Sequence, residues 1–321
     1  MNCRSLLESA RGESGMMVLT TWGSKRHSSR GRTDRGRSNE ESTTMKSEEN
    51  RKQVRLLAEP GCGSLNIAFI VGVSRSGTSI LGELIAAHPE VKYIFESYVP
   101  WRMAGRGVNG SDRLTADQAT PMVRSFIRWW FRWRKGDARI IVEKNPRNIL
   151  RIPFLRAIFP EAKIIHIVRD GRDVACSLVP GIGGRWWAHE RPPQWRDIFA
   201  RYQGVIRCAH AWNEIVRTGL ADLVGVPHLQ IRYEDLVAHP HDTAQQIFEY
   251  LGLPFHPAVA EFCCRIQNST EGSYQAKYQS VWFRRNHRQR VGRWRENLND
   301  ELQREVLQVL EPTLRSLGYV V

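Results

Sequence analysis

The sequence has no apolar run that approaches the roughly 20 residues of a membrane-spanning helix. Near the N-terminus only residues 16–19 are consecutively apolar, which is too short for the core of a signal peptide. None of the six cysteines forms a Cys-x-x-Cys pair, and two of them, Cys263 and Cys264, are adjacent. These absences predict free thiols rather than a disulfide scaffold, no membrane span, and a cytoplasmic location.

Acidic residues are scarce relative to basic ones: 33 Asp and Glu stand against 47 Lys and Arg, a formal net charge of +14. Such a charge predicts an anionic partner, which can be nucleic acid, a membrane surface or a polyanionic small molecule. The hydrophobic content of 41% in 321 residues is sufficient for one large core or two small ones.

The first 62 residues are rich in Ser, Arg, Glu and Gly and show no apolar periodicity. Such a segment buries too little surface to offset its ordering entropy, so we expect a disordered tail or the product of a mis-assigned start codon. A nucleic-acid-binding arm is the functional alternative, but interleaved aromatic residues are lacking, and no nucleic-acid partner is expected. The remainder, residues 63–321, is predicted to fold as one domain.

Five apolar segments in this domain have the length and composition of buried strands: residues 67–71, 91–95, 138–142, 162–168 and 228–233. Helical periodicity lies between and after them, at about residues 115–135, 195–218, 242–251, 258–266 and 300–317. This alternation predicts an α/β fold, a P-loop-like three-layer αβα arrangement around a central parallel sheet of about five strands.

A short polar loop bounded by Gly72 and Gly77 follows the first predicted strand and precedes a helix. A strand, a glycine-bounded loop and a helix N-terminus direct several backbone N–H groups to one point, which makes an anion site. The glycine spacing is that of a phosphate-binding loop, but Thr78 stands where MgATP-binding loops have Lys, and the loop instead contains Arg75. A P-loop-type kinase or NTPase is therefore the weaker alternative.

Four further side chains of chemical interest follow the other predicted strands: Glu96, Lys144, Arg169 and Tyr233, the last at the end of its strand. Because ligands of parallel sheets bind at the carboxyl ends of the strands, we expect these side chains to converge near the glycine-bounded loop.

Four segments, taken in order, resemble the motifs of sulfotransferases that use 3′-phosphoadenosine 5′-phosphosulfate (PAPS). The loop at residues 72–79 is similar to their 5′-phosphosulfate loop, and residues 167–177 resemble their 3′-phosphate site. Residues 232–237 are similar to a strand that places a Tyr near the nucleotide, and residues 291–295 to a C-terminal Gly-x-Trp segment. The resemblance extends over about residues 66–319.

The resemblance implies an enzyme that binds PAPS as co-substrate and sulfates a hydroxyl acceptor, which can be a small molecule, glycan, lipid or peptide tyrosine. Arg169 and Ser177 are then expected at the 3′-phosphate of the donor, with Arg288 chosen among Arg284, Arg285, Arg288 and Arg290, and Tyr233 is expected near the nucleotide. The residues expected at its 5′ end are Arg75, Ser76, Gly77, Thr78 and Ser79. No metal is required, because a sulfuryl group bears less charge than a phosphoryl group.

The resemblance also selects the catalytic base. Cytosolic small-molecule sulfotransferases have a catalytic His two residues after a Lys, and here Pro146 follows Lys144 at that distance. Glu96 instead matches the Glu of tyrosylprotein and bacterial sulfotransferases, and we expect it to take the acceptor proton during in-line transfer. Lys144 and Arg75 are expected to stabilise the transferring group.

Each of these residues also has a structural interpretation. Glu96 can be a solvated loop acid, Arg169 part of a charged turn, and the cluster at residues 129–133 either a packing face or an acceptor wall. A non-catalytic polyanion-binding protein is the remaining alternative.

Overall fold

The computed structural model describes residues 64–267 and 287–321. The predicted tail at residues 1–62, together with Arg284 and Arg285, lies outside the described residues. No helix in the described ranges is both long and apolar enough to cross a bilayer.

One parallel sheet of five strands organises the described part of the chain, and it confirms the predicted fold class. The strands are β1 (Ile67–Val71), β2 (Val91–Phe95), β3 (Ile140–Lys144), β4 (Lys163–Val168) and β5 (His228–Arg232). Their spatial order is β2-β3-β1-β4-β5. The chain therefore reverses its direction of travel across the sheet at β1, where a crevice opens at the carboxyl ends of the strands.

Helices cover the connections between the strands. The first six are α1 (Thr78–Ala86), α2 (Pro121–Lys135), α3 (Ile152–Ile158), α4 (Gly171–Leu178), α5 (Trp195–Arg201) and α6 (Gly204–Leu223). After β5 follow α7 (Tyr233–Ala238), α8 (Pro240–Leu251), α9 (Pro257–Gln267), α10 (Trp294–Asn297) and α11 (Asp300–Ser316). Short 3₁₀ turns occupy Pro100–Ala104, Val108–Gly110, Ala116–Gln118, Pro146–Leu150 and Arg288–Arg290, and a π turn occupies Val179–Gly183.

Apolar residues fill both faces of the sheet. In β1, the side chains of Ile67, Phe69 and Val71 join one buried cluster, whereas Ala68 and Ile70 join another on the opposite face. Successive side chains of a strand point to opposite faces, so a continuous apolar run is what a doubly covered strand requires. This accounts for the success of the strand predictions.

Several boundaries differ from the sequence expectation. The third strand, predicted at residues 138–142, is found at Ile140–Lys144, and two further differences change the local structure. The single helix predicted over residues 195–218 is wrong: the chain breaks between α5 and α6, where Tyr202 is extended and Gly204 has a φ of 52°. A left-handed residue interrupts the helical hydrogen-bond ladder, and glycine adopts that conformation with little strain. At the other boundary, β5 ends at Arg232, so Tyr233 begins α7 instead of ending the strand.

Candidate active site

A cavity of about 960 Å³ opens at the carboxyl ends of the strands. Its wall contains Arg75, Thr78 and Ser79 of the glycine-bounded loop and α1, Glu96 after β2, and Arg169 after β4. A smaller cavity of about 80 Å³ continues from it and reaches Tyr233. The convergence of strand ends predicted from the sequence is thus present in the structure.

The loop between β1 and α1 is tightly constrained. The backbone N–H of Ser76 donates to the Val73 carbonyl oxygen (3.1 Å), and Arg75 adopts a left-handed φ of 75°. Gly77 has a φ of 93°, and a Cβ atom at that position would lie 2.3 Å from the Tyr233 ring. Gly77 is therefore required both by its backbone conformation and by the close approach of Tyr233.

A buried ammonium group contacts three residues of the cavity wall, Ser79, Phe95 and Glu96. Lys144, whose side chain is fully buried at the end of β3, donates from Nζ to Ser79 Oγ (3.1 Å) and forms an ion pair with the Glu96 carboxylate. Nζ also lies 3.7 Å from the centroid of the Phe95 ring. Burial lowers the pKa of Lys144, and the Glu96 charge opposes that shift.

Glu96 occupies a strained backbone position. Its φ is 44°, and its N–H donates to the Lys144 carbonyl oxygen (2.8 Å), which extends the β2–β3 pairing by one residue. Among the described residues, left-handed φ values of non-glycine residues occur at Arg75, Glu96 and Asn109. Two of these three are predicted site residues, in agreement with the tendency of backbone strain to collect at functional sites.

Two side chains join the loop to the segment after β4. Arg75 Nε donates to Ser177 Oγ (2.8 Å), and Arg169 Nη1 donates to the Arg75 carbonyl oxygen (3.0 Å). Arg169 also donates from Nη2 to the Arg290 carbonyl oxygen (2.6 Å). Its guanidinium carbon lies 4.6 Å from the centroid of the Tyr233 ring.

Tyr233 is buried between α1 and the C-terminal segment. Its hydroxyl group donates to the His287 carbonyl oxygen (3.2 Å) and lies 2.9 Å from His287 Nδ1. Burial raises the pKa of Tyr233 to about 12, so the hydroxyl group stays protonated near neutral pH. Tyr233 therefore positions the loop and the C-terminal segment in this structure.

Comparisons with known proteins show to which family the chain belongs. A sequence model described as "Sulfotransferase family" matches residues 68–257, more than half of the chain. The chain belongs to the sulfotransferase family. The matched range includes every predicted site residue except Arg288.

Curated sulfotransferases are similar to part of the chain. Protein-tyrosine sulfotransferase 1 of Danio rerio is 26% identical over 209 residues, covering 60% of this chain and 55% of that protein. Carbohydrate sulfotransferase 1 of Mus musculus is 27% identical over 195 residues, covering 57% of this chain and 42% of that protein. The chain spans about half the length of the curated relatives it matches.

Among solved structures, the sulfotransferase domain from the curacin biosynthetic pathway superimposes with a TM-score of 0.55. The superposition covers 81% of this chain and 100% of that domain, and the two sequences are 17% identical. At this identity the likeness concerns the fold, and it agrees with the P-loop-like α/β sheet found here.

The C-terminal arginine at the cavity differs from the one selected by sequence. Arg290 lines both cavities, whereas Arg288 donates from Nε to the Val237 carbonyl oxygen (3.4 Å) beside α7. A 3₁₀ turn over Arg288–Arg290 separates the two side chains around its axis. Arg290 and not Arg288 is therefore among the cavity-lining residues, with Arg293 also in the wall of the larger cavity, while the expected contact of Arg288 with the nucleotide stays a prediction.

The Gly-x-Trp segment of the sulfotransferase pattern has a structural role here. The Asp173 carboxylate accepts hydrogen bonds from the backbone N–H groups of Gly292 (2.8 Å) and Trp294 (3.0 Å). Arg172 lies over the Trp294 ring at 4.2 Å. These contacts fasten the C-terminal segment to α4 and place Arg290 at the cavity, so Trp294 packs in the structure.

Two further residues near the cavity, His189 and Glu190, are not among the residues predicted from the sequence. The buried Glu190 carboxyl group accepts hydrogen bonds from both the N–H and the hydroxyl group of Ser74, and burial raises its pKa to about 7. His189 lines the larger cavity, and burial lowers its pKa to about 4, with Arg75 adding to the shift. No sequence pattern relates Ser74 to Glu190, which lies 116 positions away, so the contact between them is found only in the folded structure.

Within the described ranges no group of three or more His, Cys, Asp or Glu side chains is arranged to hold a metal ion.

Proposed function

We propose that the protein transfers a sulfuryl group from PAPS to a hydroxyl acceptor by in-line displacement, with Glu96 as general base. The observation that carries the proposal is the position of the Lys144 ammonium group between Ser79 and the Glu96 carboxylate. A cation buried between an anion-binding loop and a carboxylate can contact both the transferring group and the base that serves the acceptor.

The donor is proposed to bind along the cavity from the glycine-bounded loop towards Arg169. Ser76, Gly77, Thr78 and Ser79, at the start of α1, present N–H groups to the 5′-phosphosulfate, as helix N-termini do for anions. Arg169, Ser177 and Arg290 lie further along the same wall. The buried Nε atom of Arg169 has no hydrogen-bond partner among the described residues, which leaves a donor for the 3′-phosphate.

The reaction is proposed to follow the pattern of phosphoryl transfer, in which the protein mainly positions the reactants and stabilises charge. The acceptor oxygen forms a bond to sulfur as the bond between sulfur and the phosphate oxygen of the donor breaks. Glu96 takes the acceptor proton, and the products are a sulfate ester and 3′-phosphoadenosine 5′-phosphate. Lys144 and Arg75 offset the charge on the transferring group and on the leaving phosphate oxygen.

The acceptor is proposed to enter on the side of the cavity formed by Glu96, Pro146 and His189. Because burial holds the pKa of His189 near 4, its imidazole is neutral at physiological pH and can hydrogen-bond a hydroxyl group without carrying charge. The names of the relatives include tyrosine side chains and carbohydrates among their acceptors. These two hydroxyl classes are therefore the first to test, followed by lipids and small metabolites.

The test is incubation of the purified full-length protein with ³⁵S-labelled PAPS and a panel of these acceptors. We expect saturable donor binding and transfer of label to at least one hydroxyl class, and loss of transfer in Lys144→Met. Phosphate release from MgATP serves as the parallel assay for an NTPase, and we expect none, because Thr78 replaces the lysine of ATP-binding loops. Absence of donor binding, or ATP hydrolysis, would contradict the proposal.

A further inference from the structure

Helix α2 carries an apolar stripe on its solvent side. Met122, Phe126, Trp129 and Trp133 follow one another at spacings of four, three and four residues, so they share one face. Met122, Trp129 and Trp133 are 68%, 59% and 64% exposed, respectively. The contribution of α2 to the core comes from a different set of side chains, Val123, Ile127, Trp130 and Phe131. Phe126 is half-buried and packs against the core, whereas Met122, Trp129 and Trp133 project away from it.

The aromatic members of the stripe form a continuous surface. The rings of Trp129 and Trp133 are stacked, with centroids 6.3 Å apart and planes 6° from parallel, and Phe126 lies 5.9 Å from Trp129. Arg134 lies over the Trp133 ring at 5.6 Å. From Met122 to Trp133 the stripe extends about 16 Å along the helix. Contiguous exposed apolar surface is a common feature of interaction sites.

The charge of α2 has a single sign. The helix contains five basic residues and no acidic one, and Arg124, Arg132 and Arg134 are exposed. Arg128 is only half-exposed, and it pairs with Glu161 (3.1 Å) and donates to the Ile158 carbonyl oxygen (2.9 Å). The outer side of α2 therefore combines tryptophan rings with cationic side chains that point to solvent.

We propose that this face of α2 binds the protein peripherally to an anionic lipid surface. An interfacial helix of this kind buries its apolar residues at the level of the headgroups, while its basic residues contact anionic lipids. Tryptophan suits that depth because its ring is apolar and its N–H group is polar. Both requirements are met by side chains that are exposed in the structure and that lie outside the cavity wall.

Charge complementarity separates this partner from two others. A second copy of the chain would bring the same cationic helix face towards Arg124 and Arg132, and like charges repel. The N-terminal segment at residues 1–62 has 12 Lys and Arg against 8 Asp and Glu, so its net charge has the same sign as that of α2. An anionic bilayer supplies both the negative charge and an apolar layer for the tryptophan rings.

The experiment is flotation of the full-length protein with vesicles of phosphatidylcholine alone or mixed with phosphatidylglycerol. We expect partitioning onto the anionic vesicles and much less onto the neutral ones. The double variant Trp129→Ala/Trp133→Ala is expected to lower the partition coefficient by about tenfold or more, because it removes the inserted rings. Arg124→Glu/Arg132→Glu is expected to lower it by at least about tenfold, since each basic residue contributes about fivefold.

Matched controls come from other exposed positions. Trp186→Ala removes a tryptophan that is 75% exposed elsewhere, and Arg304→Glu/Arg315→Glu changes the net charge equally on α11. Both are expected to bind vesicles like the unaltered protein. Far-ultraviolet circular dichroism and thermal unfolding show whether each variant keeps the fold.

Three results would overturn the proposal. Unchanged flotation of the folded α2 variants would assign lipid binding to another part of the chain. Loss of self-association in the tryptophan variant, without vesicle binding by the unaltered protein, would identify a second copy as the partner. Binding to heparin but not to anionic vesicles would identify a soluble polyanion.

Discussion

The Glu190 carboxyl group accepts hydrogen bonds from both the backbone N–H and the hydroxyl group of Ser74. This contact anchors the loop between β1 and α1 to a segment that lies 116 residues away in the chain. Glu190 is 1% exposed, and burial raises its pKa to about 7. A group that changes its charge near neutral pH thus lies directly against the proposed 5′-phosphosulfate site.

Donor affinity should therefore depend on the charge of Glu190. Deprotonation above pH 7 places a negative charge beside an anionic ligand, so we expect the dissociation constant for 3′-phosphoadenosine 5′-phosphate to rise between pH 6.5 and 8.5. In Glu190→Gln the rise should be smaller by roughly threefold to tenfold, as expected for a nearby charge at an effective dielectric constant of about 20. Isothermal titration calorimetry gives the dissociation constant of each protein at each pH. The ligand's own protonation affects both proteins equally, so it cancels in the ratio of the two constants. Equal pH dependence in both proteins would contradict this role.

Replacing the proposed base separates chemistry from binding. Glu96→Gln is expected to lower the turnover of sulfuryl transfer by about 10²- to 10⁴-fold, the usual contribution of a general base. Donor affinity should be kept, because the ion pair with Lys144 is lost without removing any group of the loop. Glu90→Gln is the control, since it changes a carboxylate just before β2 that pairs with Arg139 at 3.4 Å. Turnover of Glu96→Gln within threefold of the unaltered enzyme would assign the base elsewhere.

Replacing Arg290 is expected to weaken nucleotide binding much more than replacing Arg288. Arg290→Ala should weaken binding of 3′-phosphoadenosine 5′-phosphate by about 10- to 100-fold, since charge-assisted contacts to phosphate have that magnitude. Arg288→Ala should weaken it less than about threefold, because its Nε contacts the Val237 carbonyl oxygen. Equilibrium binding of the labelled nucleotide measures both variants. The reverse order of effects would restore Arg288 as the nucleotide contact.

Stability should fall as the pH rises above neutrality. Burial raises the pKa of Glu143 to about 8 from an ordinary value of 4.5, although Asn148 Nδ2 donates to it at 2.6 Å. Between these two values the folded protein keeps a proton that the unfolded chain releases, so stability declines with pH until about pH 8. Burial lowers the pKa of His166, His189 and His287 from 6.5 to about 4. These histidines make stability rise with pH, but only between those two values, in the acid range.

The window for Glu143 is pH 7 to 8.5, where the histidines no longer contribute and Glu190, with a pKa of about 7, adds a smaller decline of the same sign near the lower end. We expect the melting temperature to fall by roughly 3 °C across it, and by less in Glu143→Gln. Glu305→Gln, on the exposed side of α11, is the matched control and should retain the full decline. Scanning calorimetry at four pH values gives the slopes, and equal slopes for all three proteins would contradict the assignment to Glu143.

The sheet was predictable because its signal is local. A buried parallel strand needs apolar residues on both faces, so Ile67–Val71 and Lys163–Val168 could be recognised from composition alone. Glu96, Lys144 and Arg169 could then be assigned to one edge, because parallel strands end on the same side of a sheet. The break between α5 and α6 was missed, since the apolar periodicity continues across it.

The sequence by itself determined the α/β class, the glycine-bounded loop and the set of polar residues at the strand ends. Tertiary structure alone decided that Glu190 contacts Ser74, that Arg290 rather than Arg288 faces the cavity, and that Trp129 and Trp133 remain exposed. The physical reason is the distance along the chain over which the deciding interactions act. Backbone conformation and strand burial depend on neighbouring residues, whereas the partner of a buried carboxyl group and the exposed side of an amphipathic helix depend on segments that meet only after folding.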